Sequence, residues 1–127
     1  MNKGPLFFVE HILENIKDIE LFVRGLTKVK FLKDKKTQNA IIRSIEVIGE
    51  ATKNLPMDFN TRFPKVEWAK ITGTRDKLIH HYFGVSLEMV WIVITNDLPI
   101  LKEQMEMIKA ELINSNISEG GNNHAKQ

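Results

Sequence analysis

The sequence predicts an all-α protein, a helical bundle around one core, and three observations carry that prediction. Apolar residues recur at alternating spacings of four and three along most of the chain, as in helices with one buried stripe. No segment shows the period-two alternation of a half-buried strand, and there is no internal repeat. At 127 residues the chain is long enough for one domain and too short for two.

The first helix is expected from Pro5 to about Leu26, with Ile12, Ile16, Ile19, Val23 and Leu26 on its buried stripe. Pro5 suits the first turn, where its missing N–H costs nothing. A basic connector, Thr27 to Lys36, follows. The second helix is expected from about Lys35 to Asn54, facing the core with Ile41, Ile45 and Ile48. Gly49 inside it costs about 1 kcal/mol relative to alanine, and suggests a tight helix crossing. Leu55-Pro56 ends this helix, because the residue before a proline is pushed out of the α region.

After Pro64, the stretch from Val66 to Ile71 reads as a short helix carrying Trp68. The segment around Arg75 reads as another, ending at Gly84. Ser86 suits the N-cap of the last helix. There Leu87, Trp91, Ile94, Leu98, Leu101, Met105, Ile108 and Leu112 keep strict four–three alternation, and Pro99 should kink the run. With Val90 and Val93 beside it, this stripe is more apolar than a small bundle needs on one helix. Self-association and a well-filled core both account for it. From Asn114 the polar, glycine-containing tail has nothing to bury and is expected to be disordered. The chain thus divides into a helical domain, 1–113, and a tail, 114–127.

Composition excludes several kinds of chemistry. There is no cysteine, hence no disulfide and no thiolate metal site, and the cytoplasm is the expected compartment. The apolar run before Glu10 is too short for a signal-peptide core, and no stretch of roughly 18 apolar residues suggests a membrane span. A metal site is not expected either: His80 and His81 diverge on a helix, and His11 and His124 are distant in sequence. Glycine-rich phosphate loops are lacking, as is a serine or cysteine nucleophile with an obvious base. The net charge of +2 is too small to argue for nucleic acid by itself. Arg24, Lys28, Lys30, Lys33, Lys35 and Lys36, opposed only by Asp34, could hold a phosphate backbone; a solvated loop is the commoner meaning of such a run.

The chemistry of the chain is concentrated in Gly73-Thr74-Arg75-Asp76-Lys77-Leu78-Ile79-His80-His81-Tyr82-Phe83-Gly84. On a helix Asp76 and His80 share a face, so the carboxylate can orient the imidazole and raise its basicity. Arg75 and Tyr82, seven apart, stack on another face. Arg75 and His80, five apart, diverge by about 140° and flank an edge. One such helix makes a poor catalytic site. Two related by a two-fold axis could set the arginine of one chain against the histidine of the other.

Metal-free cleavage of RNA fits these groups. A histidine can take the proton of a ribose 2′-OH or give one to the leaving 5′ oxygen, and a forked arginine can stabilise the phosphorane. Tyr82 could contact phosphate or stack on a base. Glu46 and Glu50 share a face of the second helix, either as a solvated pair or as a polar lining of the site. The bland alternative is a surface ion pair, a satisfied imidazole and a packed ring.

Arg75 to Tyr82 resembles the Arg-x4-His-x-Tyr motif of the HepT-like toxins, within the HEPN superfamily of helical RNases. Three further blocks resemble the family in order: Asn39 to Ala51; Trp68 with Ile71-Thr72-Gly73; and Val90-Trp91 through Asn96-Asp97-Leu98-Pro99. The likeness covers about residues 5 to 112.

The resemblance implies a four- to five-helix up-and-down bundle of HEPN type, homodimeric or higher-order, with the Arg75–His80 segments meeting at an interface cleft. It implies a metal-independent endoribonuclease toxin, needing no cofactor, with Arg75 and His80 catalytic and Asp76 the polar residue after the arginine. In type VII-like toxin–antitoxin pairs the partner is a minimal nucleotidyltransferase that silences the toxin by transferring AMP to the motif tyrosine, here Tyr82. An AMP there would put a phosphate and a purine where RNA must lie. Asparagine is common in relatives where this chain has Asp76, and His81 fills the variable place within His-x-Tyr. Two other readings use the same residues: a non-catalytic helical partner or substrate subunit of a nucleotidyltransferase, and a nucleotide-binding module.

Overall fold

In the structure, a computed structural model, the backbone is described for residues 3–80 and 86–126 and the side chains for 3–79 and 86–115. His81 and Tyr82 lie outside the described residues, as does the side chain of His80. All regular structure among the described residues is helical. In chain order the helices are α1 (Pro5–Phe22), α2 (Lys28–Lys33), α3 (Lys35–Lys53), α4 (Phe59–Arg62), α5 (Trp68–His80), α6 (Leu87–Ile92) and α7 (Leu98–Lys126), with a π-turn, Val93–Asp97, joining the last two.

Helix α3 packs against both α1 and α5, and α7 packs against α1. The predicted stripes meet in the core: Ile12, Ile16 and Ile19 from α1, Ile41, Ile45 and Ile48 from α3, and Ile94, Leu98, Leu101, Met105, Ile108 and Leu112 from the last rod are all buried. Val90 and Val93 are buried in this core too. The surplus apolar surface of the last helix therefore fills the bundle, and the stripe alone does not call for a second chain.

Several details depart from expectation. Helix α1 stops at Phe22, and Gly25 takes a positive φ of 71° in the turn that follows. The basic connector is itself partly helical. Thr27 caps α2 by accepting from the Lys30 N–H, and Phe31 drops into the core beside Trp91, with ring centroids 5.2 Å apart. Burial of that one ring gives the lysine run a reason to coil.

The two short helices expected around Trp68 and Arg75 are one, α5, with Gly73 inside it. A Cβ added at Gly73 would meet nothing, and the helix is carried through by its packing on α3. Pro99 produces a π-turn rather than a simple kink. The wider turn just before it absorbs the backbone bond that proline cannot donate. Helix α7 continues to Lys126, past Asn114, where the sequence suggests a disordered tail. Among the described side chains the buried stripe ends at Leu112.

Candidate active site

The site begins with a glycine. At Gly49, in the second half of α3, an added Cβ would overlap Cβ and Cγ of Arg75. The absent side chain lets α5 approach, and the aliphatic stem of the arginine lies in the space. That is the tight crossing expected of Gly49, and Arg75 is what it admits.

The guanidinium emerges between two carboxylates. Its Nη2 lies 2.8 Å from Glu50 Oε2 and its Nη1 lies 3.2 Å from Asp76 Oδ1. Its Nε is buried without a hydrogen-bond partner, alone in this among the described side chains. A buried unpaired donor costs free energy in a folded protein and wants an explanation. Arg75 is 22% exposed and Glu50 57%, so the arginine is held from below while its partner stands in solvent.

Asp76 is held also by a residue that the sequence alone did not single out. Lys53, one turn after Gly49 on α3, donates to the same Oδ1 at 2.7 Å. Lys53 and then Arg75 hold the Asp76 carboxyl below its ordinary pKa. The signal for Lys53 was present: Gly49 marks the face of α3 that meets α5, and a residue four positions on shares that face. What one sequence does not display is a pairing across 23 positions.

Of the other expected site residues, Glu50 joins the cluster, whereas Glu46, one turn earlier, lies 3.6 Å from Arg43. Helix α5 is continuous from Arg75 to His80, so the five-residue spacing does separate their faces by about 140°. The expected contact between Asp76 and the His80 imidazole, and the placing of Tyr82, lie outside the described residues. His11 stacks on Phe7, with ring centroids 6.0 Å apart. Among the described residues no group of three histidine, cysteine, aspartate or glutamate side chains could hold a metal ion. No helix among them is long and apolar enough to cross a membrane.

This arrangement can bind an anion and steady negative charge on it. A forked cation is held rigidly at its stem and covered at its tip by an exposed carboxylate that a phosphate could displace.

Comparison with known proteins identifies the family. A family model described as ribonuclease HepT-like matches residues 12–108. A candidate RNase of Methanocaldococcus jannaschii is 54% identical over 103 residues, which is 80% of this chain and 85% of that protein. A candidate ribonuclease HepT of Thermococcus cleftensis is 45% identical over 109 residues, 86% of this chain and 99% of the other. A candidate RNase of Caldanaerobacter subterraneus is 42% identical over 106 residues, 84% and 95% of the two chains. No solved structure matches significantly.

Proposed function

The chain belongs to the ribonuclease HepT-like family, and on that premise we propose that it is a metal-independent endoribonuclease in which Arg75 and His80 act on the RNA phosphodiester. The observation that carries this reading is Arg75 itself, its stem seated against Gly49, its Nε unsatisfied and its tip covered by the exposed Glu50. The scissile phosphate displaces Glu50 and takes its place on Nη2. The ribose 2′-oxygen then attacks phosphorus as His80 accepts its proton, and the bond to the 5′ oxygen breaks as a second acid protonates the leaving group. Products are a 2′,3′-cyclic phosphate and a 5′-hydroxyl. Arg75 offsets the charge that grows on the phosphoryl oxygens.

Because Arg75 and His80 are five residues apart on one helix, about 140° of turn, the site is completed by a second copy, whose His80 supplies the second acid–base group. Ile79, beside His80, is an exposed apolar residue that such a partner would cover.

The same reading makes the protein the toxin of a pair. A cognate nucleotidyltransferase silences it: the Tyr82 oxygen attacks the α-phosphate of ATP, a phosphodiester to AMP forms and pyrophosphate leaves. The negative AMP phosphate, two residues past His80, competes with RNA for Arg75.

The test is cleavage of bulk tRNA and mRNA in EDTA, using protein shown by mass to carry no AMP. Wild-type cleavage that persists in EDTA and vanishes with His80→Ala and with Arg75→Ala is expected. Intact RNA with the wild-type protein would overturn the reading and favour a non-catalytic partner subunit.

A further inference from the structure

Lys53 stands where a second substrate-binding cation would stand. It and Arg75 donate to one oxygen, Asp76 Oδ1, at 2.7 and 3.2 Å. The two nitrogens are therefore separated by no more than the sum of those distances, which two non-bridging oxygens of one phosphate can span. Lys53 is 38% exposed, enough to be reached from solvent.

The charge balance points the same way. Without Lys53, the arginine with Glu50 and Asp76 would carry a net charge of minus one and repel RNA. With it the free site is neutral. Once a phosphate displaces Glu50, the remaining Lys53, Asp76 and Arg75 carry a net plus one, matched to a phosphodiester.

Asp76 also has a clearer part on this view. An aspartate beside a phosphate-binding arginine weakens the site unless its charge is spent elsewhere. Here Lys53 is the stronger of its two partners, so the carboxylate aligns the cations rather than opposing the substrate.

We propose that Lys53 is a second phosphate-binding cation of this site, contacting the same phosphodiester as Arg75 while Asp76 holds the two side by side. This rests on the reading of the site as an RNA-cleaving one, and the experiment separates the two.

Binding of a labelled single-stranded RNA oligonucleotide is measured by fluorescence anisotropy against salt, in chains that all carry His80→Ala to prevent cleavage. Lys53→Gln and Lys53→Ala should lower the slope of log affinity against log salt by about 0.7, the share of one phosphate contact on a single strand. Lys53→Arg should restore the slope. With His80 intact, Lys53→Ala should lower kcat/KM about tenfold or more, the scale of one hydrogen bond to a charged group. A residue that only propped up Asp76 would change the melting temperature and leave the salt slope alone. Folded Lys53→Ala and Lys53→Gln chains with the full wild-type slope, beside wild-type protein that cleaves, would overturn this inference and leave the functional reading standing. Wild-type protein that neither binds nor cleaves RNA would overturn both.

Discussion

Two glycines separate what packing requires from what it tolerates. Gly49 is buried against the Arg75 stem. Gly49→Ala should therefore destabilise the fold by about 1–3 kcal/mol, as overpacking does, and should also lower cleavage by pushing Arg75 out of line. Gly73 sits mid-helix in open space, so Gly73→Ala should stabilise the fold by about 0.4–1 kcal/mol. Chemical denaturation of both variants tests the pair; equal and opposite signs to these would refute the packing described. At this scale much was legible beforehand. Arg75 and His80 stood out as an unusual concentration of chemistry, and Gly49 stood out as a misplaced glycine. Their relation did not, because nothing in a single sequence shows which residue fills the gap a glycine leaves. Lys53 escaped for the same reason: its partner Asp76 lies on another helix.

Among the elements, α3 matters most, since it carries Gly49, Glu50 and Lys53 to the site. Its start is set by Asp34, which accepts from the Thr37 N–H at 3.1 Å and from the Thr37 hydroxyl at 2.6 Å. The Thr37 hydroxyl, then its N–H, hold the Asp34 carboxyl below its ordinary pKa. A carboxyl with a depressed folded-state pKa adds stability above its unfolded pKa and loses it as pH falls through the folded value. Asp34→Asn should thus lower the melting temperature at pH 7 by more than it does near pH 3, where the wild-type carboxyl is also becoming protonated. A constant difference across that range would show that the charge has no part in the cap.

Helix ends with such chemistry could be read in advance: Ser86 accepts from the Met89 N–H as its position suggests, and α3 ends at Lys53, just ahead of Leu55-Pro56. Boundaries that depend on tertiary contact could not. The stretches around Trp68 and Arg75 read as two helices, yet packing on α3 carries one helix, α5, through Gly73 between them. The lysine run looked like a loop because six cations hid one phenylalanine, Phe31, that the core takes up.

For the molecule as a whole, the bundle was legible because the apolar stripes are long and regular. The assembly was not, since the stripe that suggested self-association is largely used up inside one chain. Two copies follow from α5, where Arg75 and His80 stand five residues apart, about 140° of helix turn. They can be tested in verified heterodimers of wild-type and His80→Ala chains. Because the site uses both His80 copies, cleavage far below half that of the wild-type dimer is expected; half the wild-type rate would mean that each chain holds a complete site.

The central claim is that this scaffold breaks RNA by internal attack at a metal-free site built on Arg75 and His80. The most direct measurement is the end chemistry of the cleavage products formed in EDTA by wild-type protein. The account predicts 2′,3′-cyclic phosphate and 5′-hydroxyl ends. Cleavage that stops in EDTA and, when metal is restored, leaves 5′-phosphate and 3′-hydroxyl ends would contradict it, because that product pair requires an attacking water.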